Sequence, residues 1–197
     1  ELFMWMESTN RIYGLSNNPY DPRRIVGGSS GGEGASIGAA FAPFGLGADI
    51  GGSIRLPAFF NGVFGHKGSS GLIPNTGQYP TAENEARAFL STGPLARRAA
   101  DLWPLVKILA GPDAQSDGCR AIELGDPASV DIAKLRLFDV ADNGTTPVHR
   151  DLRRVQEDAA RALGARGARV QKRAFAPLRR SLSFWGGALS EAGGTPF

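Results

Sequence analysis

The sequence predicts an α/β fold, a sheet whose strands are joined by helical crossovers. Three observations predict it. The second half of the chain alternates strand, helix, strand and helix patterns in order. Of the 197 residues, 42% are hydrophobic, with eleven Phe and three Trp, which is enough to pack a core. A glycine-rich stretch from Gly27 to Arg55 also carries apolar residues at helix and then strand spacing, not the composition of an open linker.

The elements follow in order. "STNRIYGLSNNPYDPRRIV" is rich in Asn and Pro and reads as loop, with Pro19 and Pro22 keeping it extended. Glu33 to Phe41 has small residues at helical spacing and predicts a buried helix. "APFGLGAD" then reads as a short buried strand, and Ser53 to Phe60 as a short helix after a tight turn. "NGVFGHKGSSGLIPNTGQYP" is turn-rich. Arg97 to Ala110 is a helix with Leu102, Leu105, Val106 and Leu109 on one face, stopped by Gly111-Pro112. Gly111 to Ser129 is a polar connection. Leu135 to Val140 predicts a strand, Pro147 to Leu163 an amphipathic helix stopped by Gly164, and Arg169 to Phe175 a second strand. Arg180 to Ala192 predicts a helix ended by Gly193-Gly194.

Charge narrows the function. The net charge is +3, carried mostly by Arg, and no block of five like charges occurs. A nucleic-acid partner is therefore not expected. Cys119 stands alone, which rules out an internal disulfide and fits a cytoplasmic setting. No apolar run is long enough to span a bilayer. The chain opens on Glu1 and closes on Phe197 in mid-pattern, so it reads as part of a longer domain.

The glycine-rich stretch holds Ser29 and Ser53, each beside a Gly-Gly pair. A flexible linker fits poorly, because Ile37, Phe41, Phe44, Leu46 and Ile50 want burial. A phosphate cradle of the Walker type needs Gly-Lys-Ser/Thr, and no lysine lies between Gly27 and Arg55. Gly27 to Gly31 does match Gly-x-Ser-x-Gly, but only Ile25 and Val26 precede it where a strand is required. Its base would have to be His66 or His149, both in turn or surface settings. The remaining reading uses both serines: a desolvated neutral lysine activates one serine through the other. Gly51 and Gly52 would let consecutive backbone N–H groups converge on one oxyanion.

"GGSSGGEGA" followed by "GADIGGSIRLPAFFNGVFGHK" resembles the amidase signature family, and its wording is most similar to the fatty-acid amide hydrolase branch. The likeness covers residues up to about Gly111 by motif and continues beyond by element order. It implies a mixed β-sheet sandwiched by helices. The 197 residues would be a fragment of one such domain, with a catalytic core over 1–111, a continuation over 112–197, and both ends of the domain missing. It implies an amidohydrolase acting on a carboxylic amide, in this branch a fatty-acid amide, through a Ser–cis-Ser–Lys triad and an acyl-enzyme. Ser53 resembles the nucleophile and Ser29 the bridging serine, whose peptide bond from Gly28 is cis in the family. Ile50, Gly51, Gly52 and Ser53 resemble the oxyanion-hole residues. Gly28, Ser30, Asp49 and Arg55 resemble supporting residues, and Phe3 a substrate contact by spacing alone.

No metal or organic cofactor is implied. The expected partner is a small-molecule amide, and membrane association through outside segments and homodimerisation stay open. Three departures stand out. The family lysine lies upstream of this chain, and Lys67 matches a different lysine. Ala48 replaces the usual Ser or Thr, and Gly68 replaces a proline. Two alternatives remain: an A-type component of an amidotransferase for glutamine-dependent tRNA amidation, and an inactive binding homologue. The amidotransferases usually carry Thr where this chain has Ile50.

Overall fold

The computed structural model describes residues 6–79, 81–82 and 84–193. The chain forms two compact units, one running to Leu124 and joined by the end of the last helix, the other over Gly125–Ala188.

In the first unit, a small hairpin of β1 (Thr9–Asn10) and β2 (Gly14–Leu15) opens the stretch expected to be loop. Helix α1 (Gly31–Gly38) follows, then strand β3 (Phe44–Asp49), helix α2 (Arg55–Phe60) and strand β4 (Phe64–Gly65). Helix α3 (Asn84–Phe89), strand β5 (Ser91–Ala96) and helix α4 (Ala99–Leu109) complete it. The sheet order is β3-β5-β4, with both neighbours antiparallel to β5.

One face of this sheet is built from absences. Gly45 and Gly65 stand opposite Leu95 on either side. Gly65 leaves room for Ile54, just ahead of α2, whose Cγ2 would lie 2.8 Å from a Cβ there, and Gly45 leaves room for the Glu33 carboxylate of α1. Ile37 of α1 and Ile54 pack with Leu95, and all three are fully buried. Each such burial contributes about 1.5–3 kcal/mol. The two helices also touch closely: a Cβ on Gly34 would lie 2.8 Å from Asn61 Nδ2 and 3.0 Å from Pro57 Cβ. Helix α4 buries Val106 in a second cluster with Leu72 and Ile73, and Trp103, Leu109 and Leu124 pack around it.

The expected elements are present with shifted limits. Strand β3 is buried only over Gly47–Asp49, whereas Phe44 and Leu46 are half exposed; Ala48 shares their face and is covered, so burial increases toward the Asp49 end of the strand. Helix α2 begins at Arg55 instead of Ser53, since the preceding residues form the turn beside Asp49. Strand β5 was not expected, although it is the middle strand. It contains Gly93 and Pro94, residues depleted in strands. Gly93 is required where the His66 carbonyl abuts it, and Pro94 serves as acceptor, taking the His66 N–H at 2.9 Å. The segment after α4 packs back on the first unit. Arg120 N donates to the Gly71 carbonyl at 2.9 Å, and Asn75 N to Ser116 Oγ at 3.0 Å.

The second unit is a strand–helix–strand turn. Strand β6 (Arg136–Asp139) pairs in parallel with β7 (Arg169–Lys172), and α5 (Arg150–Ala165) makes the crossover. Helix α5 runs through Gly164, which was expected to stop it. The stop comes at Gly167, whose φ of +97° is the left-handed cap conformation. Helix α6 (Ser181–Gly193) ends the described chain.

Candidate active site

Ser29 sits on the turn that feeds α1. Gly27 there has φ +73°, and a Cβ would lie 2.9 Å from Phe60 Cδ2, so both conformation and space demand glycine. The Gly28–Ser29 peptide bond is cis. The turn is pinned from outside. Ser8 Oγ donates to the Gly27 carbonyl at 2.9 Å, and Asn61 Nδ2 donates to the Val26 carbonyl at 2.8 Å. Ser30 is buried. Its Oγ accepts from Ala48 N at 3.3 Å and lies 3.5 Å from the Ala48 carbonyl as donor, so the alanine at position 48 is fastened through its backbone.

Ser53 lies half-buried on the turn between β3 and α2. Its carbonyl accepts from Ser30 N at 3.1 Å, which stitches the two serine turns together. Beneath this turn is Asp49, fully buried at the end of β3. Its Oδ1 accepts from Gly52 N at 2.7 Å and Arg55 Nη2 at 2.9 Å. Its Oδ2 accepts from Ile54 N at 3.1 Å, Arg55 N at 3.2 Å and Arg55 Nε at 3.0 Å. Burial alone would raise the Asp49 pKa, but the Arg55 guanidinium and the three backbone N–H groups outweigh it and hold the carboxyl below its ordinary value. Bonding to Asp49 raises the Arg55 pKa in turn.

The four expected oxyanion donors are divided. Gly52 N–H is committed to Asp49, because its φ of +129° turns that amide inward. No described group accepts from the N–H of Ile50, Gly51 or Ser53. A Cβ on Gly52 would also lie 2.9 Å from Leu56 Cδ1. The structure thus brings together Gly28, Ser29, Ser30, Asp49, Ile50, Gly51, Gly52, Ser53 and Arg55, whereas Phe3 lies outside the described residues. Lys67, half-buried, feels both Asp49 and Arg55, and its pKa is lowered mainly by burial.

The histidines hold structural posts. His66 N bonds to Pro94, and His149 caps α5 by accepting from Asp151 N at 3.3 Å. Among the described residues no group of three His, Cys, Asp or Glu side chains could hold a metal ion, and no helix is long and apolar enough to cross a membrane. Ser8 and Asn61 were not anticipated. Each acts on a distant backbone carbonyl, a contact that leaves no residue spacing to read.

Two serine turns stitched through their backbones over a buried carboxylate, on a sheet flanked by helices, define an amidase-signature core. The amidase family model matches residues 1–195, and the chain belongs to that family. It is 46% identical to fatty-acid amide hydrolase 2-A of Danio rerio over 98% of this chain and 36% of that protein. It is 42% identical to the A-type component of the glutamyl-tRNA(Gln) amidotransferase of Saccharolobus solfataricus over 57% of this chain and 23% of that protein. A solved fatty acid amide hydrolase structure superposes with a TM-score of 0.79 at 26% identity, covering 95% of this chain and 34% of that one. The chain thus spans about a third or less of the length of these proteins.

Proposed function

We propose that the full-length protein is a serine amidohydrolase. Ser53 attacks the amide carbonyl, and Ser29 takes its proton and passes it to a lysine outside these 197 residues. The N–H groups of Ile50, Gly51 and Ser53 receive the oxyanion. The proton returns through Ser29 to the leaving nitrogen, and water then cleaves the acyl-enzyme. The observation that carries this reading is the Ser30 N–H to Ser53 carbonyl bond at 3.1 Å, which ties both serine turns into one site.

A fatty acyl chain is the proposed acid part of the substrate. Phe60 lies against Gly27 of the Ser29 turn and packs edge-on with Phe59 at 5.4 Å. Both rings are exposed, at 39% and 57%, and offer an apolar surface beside the turn. The amide hydrolase reading is favoured over the amidotransferase one because the sequence likeness to the former is both higher and longer, 46% over 98% of this chain against 42% over 57% and 34% over 75% for two A-type amidotransferase components.

In the full-length protein, Ser53→Ala should abolish covalent labelling by an acyl fluorophosphonate. Undiminished labelling of that variant would refute the assignment. Ser29→Ala should label far more slowly than wild type, and an unchanged rate would remove Ser29 from the proton path.

A further inference from the structure

We infer that Ser8 is a positioning residue for the Ser29 turn, an inference that rests on the amidohydrolase reading above. Ser8 is buried and has φ +51°. Among the described residues the other two non-glycines at positive φ, Ala40 and Ala114, are exposed. The left-handed conformation costs a non-glycine residue about 1–2 kcal/mol, so the surroundings must impose it on Ser8.

What the conformation secures is a reach across the fold. Ser8 Oγ donates to the Gly27 carbonyl at 2.9 Å, nineteen residues along the chain, while the Ser8 carbonyl accepts from Ser16 N at 3.1 Å. Helix α1 makes room for it: a Cβ on Gly31 would lie 2.7 Å from Ser8 Cβ. The Gly27 carbonyl belongs to the peptide immediately ahead of the Gly28–Ser29 bond. Ser8 therefore fastens the upstream side of Ser29, and the Ser30–Ser53 bond fastens the downstream side. Without the hydroxyl, a carbonyl loses its partner and Ser29 is free to drift relative to Ser53.

The effect on chemistry is specific. An amide nitrogen needs a proton in order to leave, and Ser29 is the group that delivers it. A p-nitrophenolate leaves without one. Misplacement of Ser29 therefore slows amide cleavage more than cleavage of a p-nitrophenyl ester. A plain loss of folded enzyme lowers both rates by the same factor.

The test measures kcat/KM of the full-length protein on an acyl p-nitroanilide and on the p-nitrophenyl ester of the same acid. It compares wild type, Ser8→Ala and Ser8→Gly. Glycine adopts φ +51° freely, so in Ser8→Gly the relieved backbone strain offsets the lost hydrogen bond and the fold is kept. Both variants should lower the amide-to-ester ratio about tenfold, as small displacements of a reacting group do. A stable Ser8→Gly protein with the wild-type ratio overturns the inference. Ser53→Ala separates the two levels. If it still cleaves the amide, the underlying reading fails and takes this inference with it. If it is inactive while Ser8→Gly keeps the wild-type ratio, only the role of Ser8 falls.

Discussion

Asp49 is a charged group with no solvent contact, and its five hydrogen bonds decide how the Ser53 turn is held. Asp49→Asn keeps the shape but turns an amide donor toward groups that are themselves donors. It should cost about 3 kcal/mol at pH 7, near the low end for breaking a buried pair because Arg55 can still reach water. The loss should also depend on pH. The folded-state pKa of Asp49 lies below the unfolded value of about 3.9. Between the two, the unfolded chain binds more protons, so stability rises with pH. The contribution is complete above the unfolded value and disappears as pH falls through the folded one. Urea unfolding of wild type and Asp49→Asn should therefore converge in acid, and a gap that stays constant would refute the charge argument. At this scale the motif residues were legible: Ser29, Ser30, Asp49, Ser53 and Arg55 lie in short runs whose order is their signal. Ser8 and Asn61 were not, since a bond to a far backbone carbonyl imposes no pattern on the residues between.

At the scale of elements, the glycines of α1 are not equivalent. Gly32 is exposed, and a Cβ there meets nothing within 4 Å. Gly34, two residues on, faces Pro57 and Asn61 at 2.8–3.0 Å. Gly32→Ala should stabilise by up to about 1 kcal/mol through helix propensity and a less disordered unfolded chain. Gly34→Ala should destabilise by about 1–3 kcal/mol by forcing α1 away from α2. Thermal melts of the two variants should shift in opposite directions, and a shared direction would mean that α1 and α2 are not in close contact. The existence of α1, β3, α4, α5 and both parallel strands was legible from periodicity. Strand β5 was hidden because its Gly93 and Pro94 answer to neighbours, the His66 carbonyl and the His66 N–H, and not to strand propensity. The end of α5 was misplaced because Gly164 and Gly167 look alike in sequence, and only backbone conformation tells them apart.

At the scale of the whole molecule, the proposed reaction needs more chain than is present. Two of the three groups in the proposed proton path, Ser29 and Ser53, lie in these residues, and the proposed lysine does not. The 197-residue chain alone should therefore show no amide turnover above background with a fatty-acid anilide. Robust turnover would point to an internal base, with Lys67 the first suspect because burial already lowers its pKa. In the sequence this expectation rests on the resemblance alone, which places the family lysine upstream of Glu1. The division near Leu124 was not, because the polar segment after Gly111 is tied down by backbone bonds such as Arg120 N to the Gly71 carbonyl.

The stitch between Ser30 and Ser53 has a mechanical consequence. Ser30 grips the Ser53 carbonyl with its N–H and the backbone of Ala48 with its hydroxyl. Ala48 and Ser53 bracket the end of β3 and the turn that follows it, so Ser30 clasps that segment at both of its ends. Peeling the Ser30 turn away would break all of these bonds at once, a resistance that a single contact between the turns would not give.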